Sequence, residues 1–460
     1  MAFVFNPRIF REYDIRGRVA TDLTPALAEQ VGWALGAQLV ALKQSKVIIG
    51  RDGRLSSEDL SKALAQGLLA SGIDVVDLGM VTTPMVYFAA KTLPGVNSCV
   101  VITGSHNPPD YNGIKMVLDD VTLSGAAIQS LAERIRQQDY VEGQGGYSKL
   151  TIFDDYQQTI HRRIKLARPL KIVVDAGNGV AGATSPAILR GLGCEVIELF
   201  CQVDGRFPNH HPDPAQPKNL ADLIEAVKRH QADIGLAFDG DGDRCGVVDE
   251  QGQVLYADRQ MMLYAEDVLH HQPGATILFD IKCSSLLAKH IQRFGGQPLM
   301  WKTGHSLMKA KMRETGAALG GELSGHLFFA DHWFGFDDGT YSAARMLQIV
   351  AAQTRLASQL FAELPKGYST PELELQFEEG GAHAFMQTLL ASPQFPDAEL
   401  CTLDGLRADF KQGWGLVRAS NTSSNLVMRF EGETPAALER VKQQFREALL
   451  AVNSELNLPF

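Results

Sequence analysis

KIVVDAGNGVAGATSPAILRGLGCEVIELF, Lys171 to Phe200, is the stretch that decides the fold. It runs from an apolar strand through a polar loop into an amphipathic helix, then a glycine and a second apolar strand. The same succession recurs from Lys46 to Gly79 and from Ala275 to Gly304, with the loops reading GRDGR, DAGNG and DIKCS. In each copy the helix gives out near a glycine, Gly72, Gly193 or Gly295, as a left-handed C-cap requires. Parallel βαβ units carry functional loops at the carboxyl ends of their strands. Three copies therefore predict three related α/β domains, each a mixed sheet between helices, with loops aimed at one central cleft.

The boundaries follow from composition. The Gly-rich stretch from Glu142 to Tyr147 ends the first unit, turn signals from Glu250 to Gly252 precede the third, and Pro365 to Pro371 close it. The expected domains are 1–148, 149–254, 255–367 and 368–460. The last has a different pattern, with strand-like runs at Leu373 to Phe377, Gly415 to Arg418 and Leu426 to Phe430, then a helix from Pro435 to Val452. That reads as an α+β domain with an antiparallel sheet. A chain of 460 residues is long enough for this division.

A formal net charge of -10 argues against nucleic acid or an acidic membrane as partner. Six cysteines are scattered without C-x-x-C spacing, which fits a reducing compartment better than a disulfide scaffold or a zinc site. The N-terminal stretch lacks a basic segment followed by an apolar one, and no apolar run reaches membrane-spanning length. A soluble, cytoplasmic monomer is the expectation.

Two loops carry the strongest chemical signals. TGSHNPPDYNGIK, Thr103 to Lys115, follows the apolar run Val96 to Ile102 and sets the Ser105 hydroxyl in a polar loop that Pro108 and Pro109 stiffen. A hydrolase nucleophile elbow would need G-x-S-x-G, and here His-Asn-Pro-Pro follows the serine. DGDGDR, Asp239 to Arg244, lies between the strand-like runs Ile234 to Phe238 and Cys245 to Asp249. Its three aspartates at alternate positions repel one another unless a cation sits among them, and hard carboxylate oxygens select Mg²⁺ or Ca²⁺. Glu250 falls where an EF-hand would have its last ligand, yet Arg244 stands where that loop needs glycine. A strand-to-strand loop with three aspartates suits Mg²⁺.

GELSGH, Gly321 to His326, places Glu322, Ser324 and His326 at alternate positions, and an extended loop would send all three to one side. Glu322 could then bridge sugar hydroxyls while a neutral His326 accepts a proton. Arg418, Ser420, Asn421, Thr422 and Ser423 offer a guanidinium fork, hydroxyls and an amide suited to a phosphate dianion. GNGVAG, Gly177 to Gly182, satisfies G-x-G-x-x-G between a strand and a helix, with Glu198 about twenty residues on. On its own it would make the protein an NAD(P)-dependent oxidoreductase. The sister loops of the repeat lack that fingerprint, so the glycines have a second explanation in close loop packing.

TGSHNP, DGDGDR, GELSGH and RASNTSS, in this order, resemble the four loops of the α-D-phosphohexomutase family. YDIRG, Tyr13 to Gly17, and WKTGH, Trp301 to His305, are similar to the bacterial bifunctional phosphomannomutase/phosphoglucomutase subgroup. One departure is Ser424 where the family commonly has proline. The resemblance implies a phosphoserine at Ser105, with His106 and Arg244 in the chemistry and either Lys115 or His326 accepting the attacking hydroxyl's proton. It implies Mg²⁺ held by Ser105, Asp239, Asp241 and Asp243. It further implies a phosphosugar contacted by Tyr13, Arg16, Lys282, His305, Glu322, Ser324, His326, Arg418, Ser420, Asn421 and Thr422. The implied reaction interconverts hexose 1- and 6-phosphates through a hexose 1,6-bisphosphate, with mannose, glucose or both as the hexose. A phosphoglucosamine mutase and a non-enzymatic sugar-phosphate sensor are the other readings of the same loops.

Overall fold

The computed structural model describes residues 3–378, 380–391, 395–420 and 424–460. The repeat is present as a shared topology. In the first unit the strands Lys46–Arg51, Asp74–Met80, Cys99–Ile102 and Tyr111–Leu118 follow one another along the chain. The second unit has Lys171–Asp175, Glu195–Leu199, Ile234–Phe238 and Cys245–Asp249; the third has Thr276–Asp280, Gln297–Trp301, Leu319–Gly321 and Leu327–Phe329. In every unit the spatial order is fourth, third, first, second. The first strand pairs parallel with the second and with the third. The third pairs antiparallel with the fourth, so those two form a hairpin.

The first, third and fourth strands of each unit are mostly apolar and buried on both faces, as sheets sandwiched between helices require, whereas the second strands are partly exposed. The expected left-handed glycines are there, with φ of 85° at Gly72, 99° at Gly193 and 79° at Gly295. One strand is shorter than its apolar run. The ladder begins where the Ser98 carbonyl accepts from Ile48 N, whereas the Asn97 carbonyl accepts from Asp120 N, beyond the fourth strand.

The last sheet is antiparallel and contains Tyr368–Ser369, Asn425–Gly432, Gly413–Ala419, Leu406–Phe410 and Glu399–Cys401, with Leu373–Gln376 also on Asn425–Gly432. The helix Pro435–Val452 begins on an N-cap in which Ala437 N donates to Thr434 Oγ1 at 3.1 Å, with proline in the first turn. The first three units share one continuous apolar core, in which Phe88 packs on Tyr156 and Trp333, and Trp333 stacks on Tyr341 at 4.2 Å. The last unit has a core of its own. It meets the third through the small cluster of Ile281, Trp414 and Leu416 and through buried polar links such as Arg429 to Asp258.

Candidate functional site

The loops with chemistry are the same connection in each repeat. TGSHNPPD, DGDGDR and ELSGH all join the third strand of a unit to its antiparallel fourth, at the end where the three parallel strands terminate. The first-strand loops lie beside them and brace them. Asp52 accepts from Thr103 Oγ1 at 2.8 Å and Gly104 N at 3.2 Å, and Asp280 accepts from Leu323 N at 3.1 Å. Each repeat has an aspartate at or just beyond the end of its first strand, Asp52, Asp175 or Asp280. That shared position is a signal in the sequence that marks the bracing loops.

Ser105 is buried and adopts φ +48°, a conformation that non-glycine residues seldom take. Its Oγ donates to Asp239 Oδ2 at 3.0 Å and lies 3.3 Å from His106 Nδ1. The metal loop can come this close only because residue 240 is glycine: a Cβ there would stand 2.2 Å from the Ser105 carbonyl oxygen. Lys115 Nζ donates to Asp241 Oδ2 at 2.8 Å and Asp243 Oδ2 at 2.6 Å. Thr83, which no motif singled out, donates its hydroxyl to Asp241 Oδ2 at 2.6 Å.

The aspartate trio fits a hard divalent cation. One ligand oxygen from each of Asp239, Asp241 and Asp243 lies within 4.8 Å of the others, and all three residues are buried. The Oδ1 atoms of Asp241 and Asp243 have no hydrogen-bond donor, so lone pairs remain free for coordination. Burial, and then repulsion from Asp243 and Asp241, pushes Asp239 well above the usual carboxylate range, and a cation would relieve that repulsion. Burial also works to raise Asp241, but the Lys115 ammonium overcomes it and holds that carboxyl low. Burial would lower Lys115, yet Asp241 and Asp243 outweigh it and keep the amine protonated.

Arg244 ties the three hairpins together. Its Nε donates to His326 Nε2 at 3.0 Å, its Nη2 to His106 Nδ1 at 2.6 Å, and its Nε is 3.5 Å from Asp239 Oδ2. Burial, and after it the Arg244 charge, depresses His106 far below the ordinary histidine range, so that ring is a neutral acceptor. His326 Nδ1 faces Asp337 Oδ2 at 2.9 Å, and Lys309 Nζ donates to Asp337 Oδ1 at 3.0 Å. Asp337 and Lys309 carried no motif.

Glu322, Ser324 and His326 do not share a side by alternation. Glu322 N donates to the His326 carbonyl and Gly325 N to the Glu322 carbonyl, so the segment is a tight hairpin turn rather than an extended loop. Ser324 Oγ donates to Glu322 Oε2 at 3.1 Å, and Gly304 N donates to Glu322 Oε1 at 3.0 Å, while His326 turns toward Arg244. His305 packs beside His326, with ring centroids 5.6 Å apart, and Tyr13 beside His305 at 6.2 Å. The Tyr13 hydroxyl donates to the Thr303 carbonyl at 2.7 Å, which links the first unit to the third. Arg16 Nη1 donates to Asn107 Oδ1, in the Ser105 loop, at 2.6 Å.

Where the third unit meets the last, Lys282 Nζ is 3.2 Å from Glu372, and in the last unit Arg418 Nε is 3.2 Å from Asp404. Both basic side chains are nearly buried, and Arg418 and Glu322 each act on the charge of Lys282. Ser420 is buried. Asn421, Thr422 and Ser423 lie outside the described residues.

GNGVAG has a structural use. A Cβ on Gly179 would meet Gly240 Cα at 2.9 Å, and Val180 N donates to the Gly240 carbonyl at 3.1 Å. A Cβ on Gly182 would stand 2.1 Å from the Cys201 carbonyl oxygen. The backbone that would cradle a pyrophosphate is packed against the metal loop, so the oxidoreductase reading is not favoured.

Comparison with known proteins gives four consecutive matches. Residues 7–142, 154–252 and 256–368 match alpha/beta/alpha domains I, II and III of phosphoglucomutase/phosphomannomutase, and residues 371–448 match its C-terminal domain. The chain is 51% identical over 452 residues to a Pseudomonas aeruginosa protein named phosphomannomutase/phosphoglucomutase, covering 98% of this chain and 97% of that one. It is 49% identical over 459 residues to a phosphoglucomutase of Neisseria meningitidis serogroup A, covering 98% of each. A crystal structure of a phosphoglucomutase/phosphomannomutase family protein from Burkholderia thailandensis superposes with a TM-score of 0.95 at 50% identity, over 99% of this chain and 100% of that one.

Proposed function

The chain belongs to the phosphoglucomutase/phosphomannomutase family, and on that premise we propose that it interconverts hexose 1-phosphates and hexose 6-phosphates, of glucose, mannose or both, through a phosphoserine at residue 105. The observation that carries this reading is the contact between the Ser105 hydroxyl and Asp239, one of three buried carboxylates fit for a metal. An alcohol nucleophile beside such a trio suits phosphoryl transfer, in which positioning and charge stabilisation supply most of the catalysis.

In the proposed route the bond between phosphorus and Ser105 Oγ breaks as a free hydroxyl oxygen of the sugar phosphate bonds to that phosphorus. The hydroxyl proton passes to His326 Nε2, which accepts from Arg244 Nε here and is released as Arg244 turns to the transferred group. Lys115, held as an ammonium by Asp241 and Asp243, lacks a lone pair. Arg244 and Lys115 stabilise charge on the transferred group. Mg²⁺, held by Asp239, Asp241, Asp243 and an oxygen of residue 105, would neutralise charge on that same group. Glu322, Ser324, His305 and Tyr13 line the sugar's side of the cleft. Arg418 and Ser420, with Asn421 and Thr422 next in sequence and Lys282 close to Arg418, grip the phosphate that is not reacting. The resulting hexose 1,6-bisphosphate turns over, and its other phosphoryl group returns to Ser105.

The separate core of the last unit supports opening of the cleft for that rotation. No helix among the described residues is long and apolar enough to cross a membrane. We take the working form to be a cytoplasmic monomer acting on free phosphosugars. The test is a product assay with Mg²⁺ on glucose 1-phosphate, mannose 1-phosphate and glucosamine 1-phosphate, each with a trace of the matching bisphosphate. Conversion of glucose or mannose 1-phosphate to the 6-phosphate is expected. No conversion of either would overturn the reading, and turnover of the amino sugar alone would favour a phosphoglucosamine mutase.

A further inference from the structure

We infer that Arg54, in the GRDGR loop, is a positioning residue for the Ser105 nucleophile; the inference rests on the phosphomutase reading above. The Arg54 side chain is fully buried, and its guanidinium is spent on the backbone of a single loop. Nη1 donates to the carbonyls of Pro108 at 2.6 Å and Tyr111 at 2.9 Å, and Nη2 to those of Ser105 at 2.8 Å and Asn107 at 2.6 Å. Nε lies 3.2 Å from Asp52 Oδ2, the same oxygen that holds Thr103 Oγ1 and Gly104 N. One face of the group lies under Gly104, where a Cβ would come within 2.5 Å of Cζ, and Phe207 of the second unit covers it at 5.0 Å.

Four carbonyl dipoles converging on one buried point repel one another unless a cation with several donors sits there. A planar fork of five N–H groups meets that need, and a lysine ammonium with three donors and no fixed plane does not. The same loop holds Ser105 at φ +48°, a conformation that persists only where surroundings over-determine it. Arg54 and Asp52 are those surroundings. They aim Oγ at the metal loop without touching substrate or the transferred group. Asp239 is the partner that this aim serves.

The experiment uses the full chain with Arg54→Lys and, as a second variant, Gly104→Ala, which keeps the arginine but drives its guanidinium off the loop. Thermal melting and circular dichroism report folding, and steady-state kinetics on glucose 1-phosphate with bisphosphate supplied report function. A positioning role predicts kcat lower by about 10²-fold, the loss expected from a displacement near 1 Å, with KM within about threefold of wild type. A merely structural residue would instead lower kcat only in proportion to the folded fraction. Either variant, folded and with kcat within about threefold of wild type, would overturn the inference, as would a loss carried wholly by KM. If Arg54→Lys does not fold, Gly104→Ala decides. Wild-type protein without hexose-phosphate turnover would refute the phosphomutase reading itself, whereas active wild type with unimpaired variants refutes only the positioning role.

Discussion

The hydroxyl of Ser105 donates to the carboxylate of Asp239 at 3.0 Å although the two residues are 134 positions apart in the chain. They occupy the same place in successive copies of one unit, the hairpin between its third and fourth strands. In the third copy that hairpin supplies His326, which Arg244 joins to the other two. Three copies of one topology thus bring an alcohol, a carboxylate trio fit for a metal and an imidazole together.

Asp241→Asn should lower kcat by about 10²-fold or more while the protein stays folded, because the trio proposed to hold Mg²⁺ would lose one of its three carboxylates and Lys115 a charged partner. Melting curves with and without Mg²⁺ check the cause. The wild type should gain stability on adding the ion, and the variant should gain much less. Full activity of dialysed wild type in excess EDTA would contradict the metal role.

Gly179→Ala should impair both stability and Mg²⁺ affinity, since its Cβ would press on Gly240 Cα at 2.9 Å and shift the metal loop. Nicotinamide fluorescence should show no saturable binding to wild type or variant. Micromolar binding of NADH that the substitution abolishes would instead revive the dinucleotide reading of this loop.

Arg418→Ala should lower kcat/KM by about one to two orders of magnitude for 1-phosphate and 6-phosphate substrates alike, because a charged hydrogen bond to phosphate contributes about 1.5 to 3 kcal/mol. Kinetics in both directions decide it. A defect in one direction only would mean that this loop does not grip the idle phosphate in both orientations.

Tyr156→Phe should destabilise the protein by about 1.5 to 3 kcal/mol at alkaline pH and by less at acid pH. The Tyr156 hydroxyl donates to Asp338 at 2.8 Å, and Trp333 Nε1 and Tyr341 N donate to the same carboxylate. Burial pushes Asp338 up to about 7 against those donors. A carboxyl raised in the native state binds a proton that the unfolded chain has released, so its contribution to stability falls as pH rises from about 4 to that value. Above it the hydroxyl serves a charged acceptor and below it a neutral one. Urea melts at pH 5.5 and 8.5 compare the two, and an equal penalty at both would contradict the assignment.

Much of this architecture is legible in the sequence, and the gaps have physical causes. Strand, helix and glycine recur on local pattern alone, and DGDGDR exposes itself because three aspartates so close have few uses without a cation. Which loops of the repeat carry the chemistry is less visible. The fourth strand's return beside the third is a long-range pairing, so local reading points to the first-strand loops, whereas those mainly brace the hairpins. Leu406–Phe410 alternates apolar and polar residues as a half-buried strand does, a pattern that a search for continuous apolar runs passes over. Arg407 is nonetheless buried, stacked on Trp414 at 3.8 Å and donating to the carbonyls of Ile281 and Cys283 across the interface with the third unit. Asp337 and Lys309 have no local signature, since Asp337 is placed by its contact with His326 and Lys309 by its contact with Asp337.

The central claim, that Ser105 carries the phosphoryl group during turnover, is tested most directly by label transfer. Dephosphorylated protein is incubated with Mg²⁺ and glucose 1,6-bisphosphate labelled in its phosphates, freed of sugar, digested and mapped, and a parallel sample is chased with unlabelled glucose 1-phosphate. Label on the peptide containing Ser105, its release into sugar phosphate during the chase, and its absence from Ser105→Ala protein that still binds glucose 1-phosphate are the results predicted. Label on another residue, or near-normal turnover by Ser105→Ala, would contradict the account.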